Sequence, residues 1–331
     1  MTKGALPRTL AAASLMAALA LVAALFSAAA VRAQEYPSHP VRIVVPFPAG
    51  GTADLVPRTV SDYLARKWKQ PVVIENRVGA GGNIGAEAVF KAAPDGYTLL
   101  AAPPPPLVIN QNLYARLNFD PTQFVPVVNM VRVPNALVVT PKFGPMTVPE
   151  VIAFARANPG KVNAATQGNG ATSHLTTEMF QMMANVKVQN VPYTGSAPAL
   201  NDLVAGNVDI MFDNLGVSLA LVKADKLRLL AVATERRIAA LPDVPTIAET
   251  LPGFESAAWY AVVAPPRTPA AIANKINADI NEALRQPEMA SHFANWTAEP
   301  IGGTPEQLAA YMHAEVERWN KVIKAAGIRI E

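Results

Sequence analysis

Two loops of the chain, about 120 residues apart, combine glycines with small polar side chains directly after short apolar runs. The first is Ala49-Gly50-Gly51-Thr52, with Asp54 close behind it, and the second is Gln167-Gly168-Asn169-Gly170-Ala171, followed by Thr172 and Ser173. A glycine turn that opens a helix offers free N–H groups and the positive end of the helix dipole to a ligand. It can therefore hold an anion without a cationic side chain. The pattern predicts two half-sites for a carboxylate or a phosphate.

Each loop joins a predicted strand to a predicted helix. The run from Val41 to Val45 is β-branched and ends at a proline, and the residues after the loop place Val56, Val60 and Leu64 on one helical face. Residues 161 to 166 form the second predicted strand, and the helix after it carries Leu175 and Met179 on one face. Both half-sites thus have a strand, a glycine loop and a helix start.

The same alternation continues along the chain and predicts an α/β fold. Strand-like runs at residues 72–75, 97–101 and 188–191 are separated by helix-like segments, which is typical of doubly wound, mostly parallel sheets with helices on both faces. Thr147, Thr268 and Thr304 are predicted helix caps. Ligands in open α/β sheets bind beyond the carboxyl ends of strands. We therefore expect two lobes that face each other across a ligand.

Residues 1–33 have the composition of a secretory signal peptide. Lys3 and Arg8 precede an uncharged run from Leu10 to Val31, and Val31-Arg32-Ala33 is a small-x-small ending. An uncleaved anchor is the alternative. Without this leader the formal charge falls from +3 to zero, because it contains three basic residues and no acid. The chain without the leader therefore has no excess positive charge that would attract a nucleic acid. The chain has no cysteine, which excludes disulfides, thiolate sites and a lipid-modified N-terminus.

Several motifs, in this order, resemble the Bug family, the extracytoplasmic solute receptors of tripartite tricarboxylate transporters. The motifs are Pro46-Phe47-Pro48-Ala49-Gly50-Gly51 with Asp54 and Arg58, Glu75-Asn76-Arg77 before Gly79-Ala80-Gly81-Gly82, Asp95-Gly96-Tyr97-Thr98-Leu99-Leu100, Gly168-Asn169-Gly170 with His174, and Val191-Pro192-Tyr193 through Asp213-Asn214. The resemblance covers nearly all of the chain after residue 33.

The resemblance implies a two-lobed periplasmic binding protein of type II, a Venus flytrap that closes on a small mono- or dicarboxylate. Lobe I is expected to comprise residues 34–132 and 235–331, and lobe II residues 133–234. The implied partners are the integral-membrane subunits of a transporter, the implied location is the periplasm, and the receptor is expected to be a monomer. No catalysis, cofactor or metal is implied.

The resemblance also implies which residues surround the ligand. The ligand-binding residues are then Phe47, Ala49, Gly50, Gly51, Thr52 and Asp54 in the first loop, Gly168, Gly170, Thr172, Ser173 and His174 in the second, and Tyr193, Gly195, Asp213 and Trp259 around the same cleft. One segment departs from the family pattern, since Pro103-Pro104-Pro105-Pro106 replaces a polar loop. Prolines supply neither N–H donors nor hydroxyls.

Three other interpretations remain open. The glycines from Gly79 to Gly85 are similar to a dinucleotide-binding motif. Their spacing, however, is Gly-x-Gly-x-x-x-Gly, and no acid follows the next strand. Ser173 beside His174 could serve an exported hydrolase, although no Gly-x-Ser-x-Gly motif is present. The proline segment favours a third possibility, a receptor for a non-carboxylate, amide or aromatic solute.

Overall fold

The computed structural model describes residues 36–330, in which strands and helices alternate from Val41 onward. The predicted leader, residues 1–33, lies outside the described residues. The strands are β1 (Val41–Val45), β2 (Val72–Asn76), β3 (Thr98–Ala102), β4 (Val125–Val139), β5 (Asn163–Thr166), β6 (Gln189–Pro192), β7 (Ile210–Asn214), β8 (Arg228–Val232), β9 (Ala257–Ala264) and β10 (Glu299–Gly302).

The helices lie between these strands, except for the last helix, which follows β10. They are α1 (Thr52–Trp68), α2 (Asn83–Phe90), α3 (Asn110–Leu113), α4 (Val148–Ala157), α5 (Thr172–Ala184), α6 (Ser196–Ala205), α7 (Leu215–Lys223), α8 (Ala270–Leu284), α9 (Pro287–Asn295) and α10 (Pro305–Ala326). Thr147 and Thr304 cap α4 and α10 as predicted. The prediction for Thr268 is wrong, because Pro269 is the cap of α8 and the Thr268 hydroxyl donates to the Pro265 carbonyl instead. Within residues 36–330, no helix has the length and apolar character that crossing a membrane requires.

The strands form one mixed sheet with the order β2-β1-β3-β9-β4-β7-β5-β6, and β8 and β10 also pair with β4. β1 lies parallel to β2 and β3, and β5 lies parallel to β6 and β7. β9 is antiparallel to β3 and β4, and β4 is antiparallel to β7 and β8. The predicted α/β class and parallel units are confirmed, with antiparallel strands joining them.

β4 is long enough to pair with two groups of strands. From Val125 to Pro134 it pairs with β9, and from Asn135 to Val139 it pairs with β7. We call β1, β2, β3, β9, β10 and the β4 residues up to Pro134 the first sheet half. The second sheet half comprises β5 to β8 and the rest of β4. The change of partner between Pro134 and Asn135 marks the junction of the two halves.

Each half has its own apolar core. In the first, Leu100, Leu107, Leu113 and Trp319 are at most 1% exposed and pack together. In the second, the rings of Phe180, Phe212 and Phe254 lie 5.3 to 6.5 Å apart between centroids. The halves thus form two lobes, and the loops at the carboxyl ends of their parallel strands meet between them.

Candidate functional site

A cavity lies between the two halves, where loops from both of them meet. It encloses about 470 Å³ of empty space, including its mouth. The loops after β1, β3, β5 and β6, the end of β7 and one residue of β9 contribute its walls. The lining residues are Phe47, Pro48, Ala49, Gly51, Thr52, Ala53, Pro103, Pro105, Gln167, Ala171, Thr172, Gly195, Ser196, Ala197, Asn214 and Tyr260.

A second cavity adjoins the first and shares Phe47, Pro105, Gln167 and Ala171 with it. The loop from Gly79 to Gly82 forms its far side, and Tyr114, Gly168, Asn169 and Tyr193 also line it. None of the residues that line either cavity is an Asp, Glu, Lys, Arg or His. A ligand in this cleft therefore meets main-chain groups, hydroxyls, amides and apolar surface.

The first loop is held in shape by Asp54. Its buried carboxylate accepts hydrogen bonds from Gly50 N at 3.1 Å, Arg58 Nε at 2.8 Å and Asn76 Nδ2 at 2.9 Å. Burial alone would raise the pKa of Asp54, but these hydrogen bonds outweigh it and hold the pKa below its ordinary value. Asp54 and Gly50 thus shape the loop from behind, and neither lines the cavity.

Thr52 is the first residue of α1 and presents the clearest free polar group of this loop. Its side chain is 2% exposed, and its hydroxyl lies beside the Tyr260 phenol but makes no well-aligned hydrogen bond among residues 36–330. A buried hydroxyl without a partner is costly unless a ligand or a water completes it. Asp54 N donates to Gly51 O, which leaves the N–H groups of Thr52 and Ala53 without a main-chain acceptor among the described residues. Several donors therefore converge at the start of α1.

Ser173 and His174 hold the second loop rather than forming a catalytic pair. Ser173 Oγ accepts from Gln167 N at 2.8 Å, and His174 Nδ1 accepts from Gly170 N at 3.1 Å. Desolvation lowers the pKa of His174 to about 4, so the ring stays neutral. Neighbouring residues of a helix do not face each other. The serine and the histidine therefore each stabilise a different part of the loop, and Thr172 alone of α5's first turn lines the cavity.

Gln167 connects the cavity wall to the polar interior. Its Nε2 lies 2.8 Å from Ser196 Oγ, 2.8 Å from Asp213 Oδ1 and 2.9 Å from Asn214 Oδ1. Asn214 Oδ1 also accepts from the hydroxyl of Tyr260 at 3.1 Å. These contacts fix the orientation of five side chains, which belong to the loop after β5, the start of α6, β7 and β9.

The remaining predicted residues lie in three different surroundings. Gly195 lines the main cavity, whereas Tyr193 lines the adjoining one and donates its hydroxyl to Asp202 at 2.6 Å. Burial, and then Asp202, raises the pKa of Tyr193 to about 12. Asp213 is fully buried behind Gln167. The structure does not bring Trp259 to the cavity, because this side chain lies in the first core and donates to Glu315 Oε2 at 2.9 Å.

Several cavity residues were not among the sequence candidates, namely Gln167, Ser196, Asn214 and Tyr260. Each is adjacent to a candidate or to a candidate's loop: Gln167 precedes Gly168, Ser196 follows Gly195, Asn214 follows Asp213, and Tyr260 follows Trp259. Asn214 and Tyr260 lie on strands, where neighbouring side chains point to opposite faces, so a shift of one residue replaces a core position with a cavity position. The sequence pattern located the loops but not this register.

The fold and the site together define a class, the two-lobed periplasmic solute-binding proteins. A family model described as "Tripartite tricarboxylate transporter family receptor" matches residues 56–328, and the chain belongs to this family. Members of the family are solute receptors and not enzymes, which confirms both the resemblance to Bug proteins and the prediction that the chain is not an enzyme.

Known relatives agree along almost their whole length. The chain is 37% identical to the protein BugT of Bordetella pertussis, covering 92% of this chain and 94% of the relative. It is 39% identical to an R. palustris protein solved with adipate, with a TM-score of 0.87 and coverage of 89% and 99%. It is 32% identical to MatC from Rhodopseudomonas palustris with bound malate, with a TM-score of 0.83 and coverage of 87% and 100%.

Proposed function

We propose that this receptor captures a small organic acid between its lobes and presents it to the membrane subunits of a tripartite tricarboxylate transporter. The observation that carries the proposal is the convergence of neutral donors at the start of α1, where the buried Thr52 hydroxyl has no well-aligned hydrogen bond among the described residues. The relatives solved with adipate and malate support a carboxylate ligand. Export to the periplasm through a cleaved leader, residues 1–33, and a monomeric receptor are parts of the same proposal.

We assign the candidate residues two kinds of role in binding. The residues that would contact the ligand are Phe47, Ala49, Gly51, Thr52, Thr172, Gly195, Gln167, Ser196, Asn214 and Tyr260. Gly50, Asp54, Gly168, Gly170, Ser173, His174 and Asp213 would shape the loops, and Tyr193 would meet only a ligand long enough to enter the adjoining cavity. We assign no ligand contact to Trp259.

We propose that lobe I comprises residues 34–132 and 257–331, and lobe II residues 133–256. The boundaries expected from the sequence place residues 235–256 in lobe I, but Ile247 and Phe254 of this segment pack in the second core. β4 changes partner between Pro134 and Asn135, and the segment from Ala233 to Ser256 returns from β8 to β9 beside that point. Both connections between the lobes would therefore bend close to Asn135.

Thermal unfolding against a panel of mono-, di- and aromatic carboxylates tests the proposal. A ligand at about 100 times its dissociation constant should stabilise the protein by about 2.7 kcal/mol. Thr52→Val removes one hydroxyl from the site and should weaken binding about two- to tenfold. The matched control is Thr59→Val on the same helix, whose hydroxyl donates to its own helix at Leu55 O and should leave affinity unchanged. Stabilisation by no carboxylate at all would refute the proposal.

A second candidate is a receptor for a neutral amide or aromatic solute. It is favoured by Pro103 and Pro105, which line the main cavity without offering any donor, and by the absence of charged residues from the linings. Paired acid and amide analogues separate the two candidates. Loss of affinity in the amide supports an organic acid, and equal affinity supports the neutral solute.

A further inference from the structure

Asp213 is a buried acid one side-chain layer behind the proposed ligand. It lies near the carboxyl end of β7 and is 0% exposed. Its Oδ1 accepts from Nε2 of Gln167, which lines the cavity, and its chain neighbour Asn214 lines the cavity as well. An anion in the cavity and a charge on Asp213 would therefore be separated by a single layer of uncharged side chains.

The described surroundings of Asp213 contain no positive charge that would balance an ionised carboxylate. Its Oδ2 has no hydrogen-bond partner among the described residues, and none of the ion pairs that they form includes it. Gln167 has two amide hydrogens for three nearby acceptors, so it cannot donate fully to all of them. Asp54 is the contrast, since that carboxylate has an arginine partner and accepts three hydrogen bonds.

Five polar groups act on Asp213. They are the Gln167 amide after β5, the Ser196 hydroxyl on α6, the Ser218 hydroxyl on α7, the Asn214 N–H on β7 and the Tyr260 phenol on β9. Ala136 of β4 lies opposite it in the sheet. Tyr260 is the titratable group of this set, and burial raises the pKa of its phenol, which stays neutral. Burial raises the pKa of Asp213 to about 6 and outweighs the hydrogen bonds from the other four groups, which lower it.

We propose that the receptor takes up one proton when it captures an organic anion, and that this proton resides on Oδ2 of Asp213. The inference rests on the proposed function, because it needs an anionic ligand. In a site of low dielectric, an ionised Asp213 repels the anion, whereas the carboxylic acid does not. The proton comes from the solvent and forms the O–H bond on Oδ2, while Oδ1 continues to accept from Gln167. Affinity for the anion should rise as the pH falls.

Calorimetry of ligand binding at pH 7, in two buffers of different ionisation enthalpy, measures the proton directly. We expect an uptake close to one proton per ligand, and a dissociation constant that increases by up to about tenfold per pH unit above 6. The ligand is a carboxylate found by the stabilisation screen, studied from pH 5.5 to 8 so that it stays ionised. Asp213→Asn should bind with no proton uptake and with affinity independent of pH.

The controls separate the possible failures. Asp209→Asn, in the turn before β7, removes an acid that accepts from Asn163 N and should keep the proton uptake of the unaltered protein. An uncharged amide analogue of the ligand should bind without proton uptake.

Binding of the acid without proton uptake, or uptake that persists in Asp213→Asn, overturns this inference and leaves the proposed function standing. Failure of every acid to bind refutes the proposed function itself. If Asp213→Asn does not fold, the number of protons that the unaltered protein takes up per ligand still tests the inference.

Discussion

At the scale of single residues, Gly170 is the place where a loop of the second sheet half lies against the first core. Its φ is +78°, and a Cβ added there would lie 2.4 Å from Leu113 Cδ2 and 3.4 Å from Asn110 Oδ1. The sequence motif favours a different role, a close approach of the backbone to a ligand, yet Gly170 lines neither cavity. The missing side chain leaves room for contact between the two halves.

Gly170→Ala should therefore weaken ligand binding at least about tenfold by hindering closure, while each half stays folded. The backbone strain of alanine at positive φ costs about 1–2 kcal/mol and accounts for part of any loss in stability. Gly253→Ala is the matched control, because its φ is +83° but nothing lies within 4 Å of the added Cβ. Calorimetry gives the affinities, and X-ray scattering shows whether ligand still compacts the variant. Equal affinities in the two variants would contradict a role in closure.

The loops of the site could be predicted from the sequence, but the direction of each side chain could not. A glycine turn between an apolar run and an amphipathic segment is a local signal, so both half-sites were predictable. Whether Ser173 contacts a ligand or Gln167 N depends on how the loop folds back, which local patterns do not encode. Trp259 and Tyr260 illustrate the same limit, since one faces the first core and the other the cavity.

At the scale of elements, a buried polar network at Asn135 joins the cavity to the junction of the sheet halves. Asn135 Nδ2 donates to Thr176 Oγ1 at 2.9 Å and to Ser256 Oγ at 2.8 Å, and its Oδ1 accepts from Asn214 Nδ2 at 2.7 Å. Asn135 N donates to Ser256 O, and Ala233 N donates to Asn135 O. One fully buried residue thus ties β4 to β7, α5 and both ends of the returning segment.

Asn135→Leu should destabilise the protein by about 3 kcal/mol, because it leaves the buried polar groups of Asn214, Thr176 and Ser256 short of partners. Chemical denaturation of both proteins without ligand measures this difference. Asn201→Leu, at an exposed position of α6, is the control and should change stability by no more than about 0.5 kcal/mol. A loss in Asn135→Leu as small as in the control would show that the network does not stabilise the junction.

β4 itself was not predictable from local pattern. Its sequence contains Pro126 and Pro134, and a proline within an apolar run normally argues against a central strand. In the structure the pairing with β9 shifts register between Pro126 and Val128, and Pro134 is the last residue paired with β9 before β4 changes partner. The prolines are tolerated because long-range pairing places them where the ladder is irregular or ends.

At the scale of the whole molecule, two lobes and a cleft between them followed from the repeated order of strand, glycine loop and helix. The antiparallel strands β4 and β9 did not, since they are specified by contacts far apart in the chain. Their effect is to place the carboxyl ends of β1, β3, β5 and β6 around one cavity. The repeated motif defines each lobe, and the two long strands define how many loops surround the cavity.

The uncharged lining of the cleft has a consequence for the conditions under which the receptor works. Mobile ions screen interactions between separated charges, but they act weakly on a buried anion held by nearby dipoles. Without residues 1–33 the chain also has a formal charge of zero, so its net charge provides no long-range attraction for an anion. Affinity should change by less than about twofold between 20 mM and 500 mM salt at fixed pH, as measured by calorimetry. A severalfold loss at high salt would reveal a cationic contact that the linings do not contain. With such a site, the receptor would capture its solute equally well in dilute and in saline surroundings.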